Sequence, residues 1–365
     1  PGAYHGLHDA WREANLRLYE HLTRTTKEFP DTVEEMSPLY SAVAHGCAAG
    51  RHQQVLEDVY WRRIQRGKKH FNWHKLGAFG AELAALARFF ETPWRQPVAE
   101  LTEADQAFVF GETGFDLRAL ERLQEATEPM QAGLQAAISQ TDWKNAAIRA
   151  GNLSELYLTM GDPPQALKFA RQSVELADHI GDDVQRMVRR ATLADALHQV
   201  GRPDEAAAAF CQAEEMQKQQ QPEFLILYSL RGFLYCDLLL GQGKYQEVKE
   251  RAARAFEIAK RNHWLLNIAL DTLSLGRACL LQSQQVGAGD YGQVLEFLQR
   301  AVDGLRQAGT THHLPRGLLA RAEWARVTKQ FDQARRDLAE AFTIAERGEM
   351  RLHLADCYLE FARLS

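Results

Sequence analysis

The hydrophobic and polar positions of this chain follow a helical period and recur in units of about 40 residues. Gly161, Gly201 and Gly243 stand 40 and 42 residues apart, each between two stretches of helical periodicity. Relative to each glycine, a small residue lies seven positions before it, a small or β-branched residue five after it and a small residue twelve after it. Small residues at these offsets let antiparallel helices approach closely, and a turn glycine supplies the left-handed backbone that ends the first helix. The pattern therefore predicts stacked helical hairpins.

Further copies lack the glycine but keep the packing positions. The same offsets place Glu121 and Lys329 in the turn slot of two copies. The first copy is expected at residues 39–66. The second is degenerate, with one helix near residues 75–90 that Pro93, Trp94 and Pro97 then interrupt. The remaining copies are expected at residues 106–139, 145–179, 186–218, 224–260, 265–307, with an insertion at 284–290, and 314–347.

These units predict an all-α, right-handed superhelical solenoid of about eight helical hairpins, with an additional helix at each end. No stretch alternates apolar and polar residues with the period of a strand. Trp11, Leu16, Tyr19 and Leu22 fall close to helical spacing, so the first helix is expected to pack on the first repeat. The expected divisions are an N-terminal helical junction at residues 1–35, degenerate repeats at 36–104, a regular array at 105–348 and a capping helix at 349–365.

The small packing residues and the turn glycine resemble those of the tetratricopeptide repeat (TPR) family, in arrays whose unit exceeds the usual period of about 34 residues. The N-terminal segments 9–22, 39–51 and 60–63 resemble the junction of bacterial STAND proteins, and this similarity extends over residues 7–260. STAND proteins are NACHT or NB-ARC-type signalling ATPases in which a nucleotide-binding module and a winged helix precede a TPR sensor.

What the resemblance implies is a ligand-sensing arm that keeps an ATPase inactive until a trigger binds. A P-loop module followed by a winged helix would then precede Pro1, and the partners would be a protein or peptide ligand and a fused or separate NTPase. The alternative is a free-standing TPR adaptor or scaffold that assembles other proteins.

The sequence lacks the motifs of the common enzyme sites. Neither Gly67-Lys68-Lys69 nor Gly243-Lys244-Tyr245 has the glycine-rich frame of a P-loop. The string at 287–292 matches a dinucleotide fingerprint, but no strand precedes it. There is no Gly-x-Ser-x-Gly, His-Glu-x-x-His or Cys-x-x-Cys motif. We expect a non-catalytic protein that has no cofactor and no metal.

Two groups of polar residues have a weaker claim to chemistry. His70 and His74 have a ligand spacing and His312 and His313 are adjacent, but no cysteine or carboxylate completes either set. We expect these histidines at the surface or at helix caps. The basic run at residues 62–70 is expected to be a solvated helix end, and we do not expect it to bind nucleic acid.

A binding function, if present, is expected on the concave surface, which exposed positions of each first helix line in TPR arrays. Asn152 occupies the repeat position at which peptide-binding TPRs often have an asparagine that binds the ligand backbone. The matching positions of the other repeats contain Thr192, Leu234, Ser274 and Ala320, which argues against a repeated carboxylate clamp. Mixed charges favour a protein surface or an extended peptide as the ligand. The predicted groove consists of Asn152, Glu155, Arg189, Asp195, His198, Arg231, Asp237, Arg277, Glu323 and Arg326, with Arg316 in the same register.

Composition agrees with a helical-repeat protein. The chain has 365 residues, of which 45% are hydrophobic and 25% charged, and its net charge of −5 gives no general attraction to nucleic acid. Five scattered cysteines indicate reduced thiols and a cytoplasmic location. No apolar run is long enough to span a membrane and no signal-peptide pattern is present, so no membrane association is expected.

Overall fold

The fold is a continuous stack of helical hairpins. A computed structural model describes residues 2–287 and 289–364, with side chains from residue 9 onward. Ala288, which belongs to the predicted insertion, and the terminal residues Pro1 and Ser365 lie outside the described residues. The N-terminal helices are α1 (Gly2–Thr25), α2 (Val33–Ala48), α3 (His52–Val55), α4 (Phe71–His74) and α5 (Phe79–Leu86).

Six regular hairpins follow, and a single helix closes the array. Each predicted copy from residue 106 onward coincides with one of these hairpins to within a few residues, so the prediction of an all-α solenoid is confirmed. The hairpins are α6 (Glu103–Ala119) with α7 (Leu123–Ser139), α8 (Trp143–Met160) with α9 (Pro163–Ile180), α10 (Asp183–Gln199) with α11 (Pro203–Gln220), α12 (Ser229–Gly241) with α13 (Tyr245–Asn262), α14 (Leu265–Val286) with α15 (Tyr291–Gln307), and α16 (Leu314–Val327) with α17 (Phe331–Arg347), before α18 (Arg351–Leu364).

The turn slots have the backbone that the sequence predicts. Gly161, Gly201 and Gly243 have φ values of 75°, 76° and 73°. Glu121 and Lys329, which lack the conformational freedom of glycine, adopt the same left-handed region with φ values of 65° and 61°. The hairpin geometry is therefore retained where the glycine is not, because the packing of the two helices specifies the turn.

The N-terminal repeats are irregular. In the first hairpin, α3 continues into a π-helix over Leu56–Gln65. In the second, which the sequence predicts to be degenerate, the segment that interrupts the helical pattern forms two short antiparallel strands, β1 (Phe90–Thr92) and β2 (Gln96–Pro97). Proline lacks the backbone N–H that a helix needs, and two prolines fall in this segment. Strands of three and two residues are too short to produce a visible alternation.

Helix α1 packs on the first hairpin. Tyr19 is buried in the N-terminal core cluster, and Leu16 and Leu22 pack against it, whereas Trp11 is 54% exposed. Arg63 of the π-helix is buried and donates hydrogen bonds to four carbonyl oxygens at the end of α1 and just after it, at 2.9 Å to Thr23 and Thr26, 3.0 Å to Lys27 and 3.3 Å to Glu28. The expectation of a fully solvated basic run is therefore wrong at Arg63, which fixes the end of α1.

The array closes on itself. Arg347, at the end of α17, pairs with Glu121 in the turn between α6 and α7. Thr311, just before α16, donates a hydrogen bond of 2.9 Å to the carbonyl oxygen of Ala119. Helix α18 packs on α16 and α17 and also reaches α8. Within the described part of the chain, no helix has the length and apolar character needed to cross a bilayer.

Candidate functional site in the concave groove

The first helices of successive repeats and α18 enclose a cavity of about 280 Å³. Four predicted groove residues line it from four neighbouring helices: Asp195 of α10, Asp237 of α12, Arg277 of α14 and Glu323 of α16. The opposite wall is the inner face of α18. That wall contains Leu352, His353, Asp356, Leu359, Glu360 and Arg363.

Asp237 and Arg277 form the central ion pair of this cavity. A nitrogen of the Arg277 guanidinium lies 2.5 Å from a carboxylate oxygen of Asp237. Burial alone would raise the pKa of Asp237, but Arg277 and, more weakly, Arg316 lower it to about 2. The carboxylate is therefore charged, and the pair presents both signs of charge side by side in the groove.

Asp195 lies beside this pair in a different electrostatic environment. It is only 6% exposed and forms no ion pair within 4.0 Å with any described residue. Burial raises the pKa of Asp195 to about 7, although Arg316 opposes the shift, and the charge of Asp237 adds to it. The pKa values of two aspartates one repeat apart are thus shifted in opposite directions, because only one of them has a close arginine partner.

A smaller cavity of about 30 Å³ adjoins the first at the closure of the array. Glu155 lies there, with its carboxylate 2.5 Å from the guanidinium of Arg118 on α6. His312 and His313 also line this cavity and are only 6% and 8% exposed. The sequence predicts these two histidines at the surface or at helix caps; the surface position is wrong for both, whereas His313 is the N-cap residue of α16. They are covered because the last repeat packs against the first regular one.

The remaining predicted groove residues lie outside the linings of these two cavities. Arg326 pairs with Glu360 of α18 at 2.9 Å, whereas Asn152 and His198 are half-buried on α8 and α10. Burial lowers the pKa of Arg189 to about 10 against the opposing charge of Glu155, and burial likewise lowers the pKa of Arg231.

The expectation that the concave positions are exposed is wrong for most of them. Thr192 and Ser274 are buried, as are Arg189 and Asp195. The groove is narrow because the array closes and α18 lies against its first helices. Access to the groove is consequently limited to the spaces beside α18.

Several lining residues escaped the sequence analysis. His353, Asp356 and Glu360 have the spacing of one face of a helix, so a polar stripe on the closing helix was the available signal. Arg118 carried no signal, because it reaches the cavity only through the closure of the array. Within the described residues, no three His, Cys, Asp or Glu side chains are arranged as metal ligands.

The arrangement supplies hydrogen-bond donors, acceptors and charges of both signs within one enclosed groove. Apolar side chains, Leu158, Leu319, Leu352 and Leu359, stand between them. Such a lining suits non-covalent binding of an extended ligand that has polar and apolar groups in alternation.

Solved structures with similar folds were found, although no protein-family model and no curated protein sequence matches the chain. A Rap protein complexed with Competence and Sporulation Factor aligns with a TM-score of 0.57 at 12% identity, over 95% of this chain and 96% of the Rap chain. The apo form of RapI aligns with a TM-score of 0.51 at 9% identity, over 74% and 91% of the two chains.

A STAND protein with a TPR sensor from Pyrococcus horikoshii aligns with a TM-score of 0.47 at 13% identity. The aligned region covers 97% of this chain but 49% of the STAND chain, so the present chain spans about half the length of that protein. At these identities, the similarity to the Rap structures concerns the fold. The chain has a TPR-like fold, an all-α solenoid of stacked helical hairpins.

Proposed function

We propose that this chain is a non-catalytic module that binds a protein segment or an extended peptide in its concave groove. The observation that carries the proposal is the row of charges on successive first helices: Asp195, Asp237, Arg277 and Glu323 line one cavity. Successive repeats present these side chains at regular intervals along the groove, as a ligand in extended conformation requires. Charges of both signs also discriminate between ligands, because a wrong charge leaves a buried group unpaired.

Two further observations support a peptide ligand. Apolar side chains of α16 and α18, Leu319 and Leu359, lie beside the charged ones, so the lining offers the mixture of contacts that a peptide makes. The similar Rap protein was solved in complex with Competence and Sporulation Factor, which is consistent with a ligand-binding role for this kind of solenoid. The ligand would enter beside α18 and contact both walls.

As a finer assignment, we propose that the module is the sensor arm of a bacterial STAND signalling or defence ATPase in the cytoplasm. The resemblance of segments 9–22, 39–51 and 60–63 to the STAND junction supports it. The five cysteines form no disulfide among the described residues, which agrees with a reducing compartment. The reading frame that precedes Pro1 tests this assignment. A P-loop followed by a winged helix is expected, and a frame without them would favour the free-standing adaptor.

The binding proposal is tested with peptides selected from a displayed random library on the full chain. Each selected peptide is then measured against a groove variant, Asp195→Asn, Asp237→Asn and Arg277→Gln, which replaces three ionisable groups by neutral polar ones. The matched control is Glu175→Gln, Glu257→Gln and Arg254→Gln, which removes the same charges from exposed positions on second helices.

Peptides that lose at least about tenfold in affinity to the groove variant, and nothing to the control, are the expected result. Circular dichroism checks that both variants remain helical. Equal binding to the two variants, or a selection that yields no peptide sensitive to the groove variant, would contradict the proposal.

A further inference from the structure

Five basic or imidazole side chains converge where the two ends of the array meet. Arg118 comes from α6, His312 and His313 precede α16, Arg316 lies in its first turn and His353 belongs to α18. All five line the smaller cavity of about 30 Å³. They come from segments that lie almost 200 residues apart in sequence, so the cluster exists only in the closed array.

Four nitrogen atoms of this cluster are buried and form no hydrogen bond with another described residue. They are Nε of Arg118, Nε of Arg316, and Nδ1 of His313 and His353. A buried polar group without a partner costs about 1–3 kcal/mol, and buried polar groups in folded proteins nearly always have partners. The four side chains line one cavity, although Nδ1 of His353 lies 3.8 Å from a carboxylate oxygen of Asp356. Their unpartnered nitrogens therefore indicate a ligand that accepts hydrogen bonds.

Arg316 is the clearest of the four. No carboxylate of a described residue lies within 4.0 Å of its guanidinium, which stands 5.6 Å from the ring centroid of Phe233 and acts on Asp195 and Asp237 only at longer range. By contrast, Arg118 is paired with Glu155, and Arg277 with Asp237. Arg316 also lines both cavities, so it can reach a group placed between them.

Two arginines and two carboxylates line this cavity, so a ligand for Arg316 has to compete with acidic side chains. Burial is the largest cause of the lowered pKa of His312 and His313, and the positive charges of Arg118 and Arg316 lower it further. Glu155 is paired with Arg118 and Asp237 with Arg277, whereas Asp195 has no such partner and is the main competitor for Arg316.

We propose that Arg316, His313 and His353 bind a single oxyanion of the phosphate or sulfate class at the junction of the two cavities. A guanidinium donates paired hydrogen bonds to such an anion, and each neutral imidazole donates one in the appropriate tautomer. The smaller cavity has room for about two water molecules. Thr159, Asp195, Arg316 and His353 line both cavities, so the larger one provides the remaining space beside them.

The proposed anion lies beside the closure of the array. Its ligands come from the segment before α16, from α16 and from α18, whereas Arg118, Glu155 and Asp195 on the opposite side belong to α6, α8 and α10. Binding of the anion to the folded chain stabilises the chain against unfolding. This site does not depend on the proposed peptide-binding function.

The test is calorimetric titration of the full chain with inorganic phosphate, with potassium chloride at the same ionic strength as the reference. We expect saturable binding of one phosphate per chain, competition by sulfate and a higher melting temperature in phosphate than in chloride. Arg316→Gln should weaken binding at least about tenfold, because it removes the charged donor. The matched control, Arg306→Gln, removes an exposed arginine that pairs with Glu340 and should leave binding unchanged.

A second variant keeps the test decisive if Arg316→Gln does not fold. Asp195→Asn removes the competing carboxylate and keeps the shape of the side chain, so it should tighten phosphate binding several-fold. Absence of saturable binding to the native chain, equal affinity for the native and Arg316→Gln chains, or weaker binding to Asp195→Asn would each overturn the proposal.

Discussion

The guanidinium of Arg347 contacts the carboxylate of Glu121, 226 residues earlier in the chain, through nitrogen–oxygen distances of 2.7 to 3.1 Å. Glu121 is buried in the turn between α6 and α7, and Arg347 lies at the end of α17. A second contact, 3.0 Å from Gln124 to Glu349, lies beside it. The solenoid is therefore closed by polar contacts between its first and last regular repeats, and this closure shapes the groove.

Arg347→Gln should lower the free energy of unfolding by about 1 kcal/mol. The arginine side chain is 68% exposed, which weakens the pair, but its removal leaves a buried carboxylate without its partner. Urea unfolding measures the change. Arg335→Gln, on the same helix, removes an arginine from an exposed pair with Asp332 and should change the free energy by less than about 0.5 kcal/mol. Equal effects of the two substitutions would show that the closure contact contributes nothing.

The turn glycines allow the docking of α18 to be measured separately. A Cβ atom at Gly201 meets no atom within 4 Å, so Gly201→Ala should cost about 1 kcal/mol for the left-handed backbone alone. A Cβ atom at Gly161 would lie 2.6 Å from Cβ of Arg351, so α18 has to move. Gly161→Ala should therefore cost at least about 1 kcal/mol more. Urea unfolding of both variants tests this, and equal costs would contradict the observed contact between α8 and α18.

Asp195 should make the stability depend on pH in a defined direction. Burial raises the pKa of Asp195 to about 7, whereas an aspartate in an unfolded chain has a pKa of about 3.9. Between these values, the folded chain holds a proton that the unfolded chain has released, so this group lowers the free energy of unfolding as the pH rises. This decrease in the free energy of unfolding is complete above about pH 7 and absent below about pH 4.

Asp195→Asn removes that dependence. The free energy of unfolding of the variant minus that of the native chain should increase by more than about 1 kcal/mol from pH 4 to pH 7 and then stay constant. Urea unfolding across this range measures the difference. Asp204→Asn, at an exposed position, should give a flat difference. A flat difference for Asp195→Asn as well would show that its carboxyl group is not desolvated.

Arg63 should control the order of α1. Arg63→Met removes the donor of four hydrogen bonds to carbonyl oxygens in the last turn of this helix and just after it, so amide exchange over residues 9–24 should accelerate strongly. The neighbouring Arg62 is exposed and pairs only with Glu28, so Arg62→Met is the control and should leave the exchange rates unchanged. Rapid exchange over residues 9–24 in the native chain would contradict the packing of α1 on the first hairpin.

The regular hairpins could be predicted from the sequence because their packing is local. The residues at fixed offsets from Gly161 and Gly201 face one another within a single hairpin, and each copy repeats the same arrangement. The same local rule located Glu121 and Lys329 in turns without glycine. It also placed Asp195, Asp237, Arg277 and Glu323 on one side of successive first helices, and the structure brings these four residues into one cavity.

The closure could not be predicted because no local pattern encodes it. Glu121 and Arg347 belong to separate repeats, and nothing near either residue marks it as a partner of the other. The burial of His312 and His313 depends on the same long-range contact. Two adjacent histidines in a loop therefore predicted a surface position instead. The short strands β1 and β2 were missed for a different reason, since they contain too few residues to show a period.

The measurement that tests the central claim most directly is the position of a bound peptide in the full chain. A photo-cross-linking residue at Gln199, which lines the larger cavity, is compared with one at Glu257, which is exposed on a second helix. We predict that a library-selected peptide cross-links from position 199 and not from position 257. Cross-linking from position 257 alone, or equally from both, would contradict the assignment of the concave groove as the binding site.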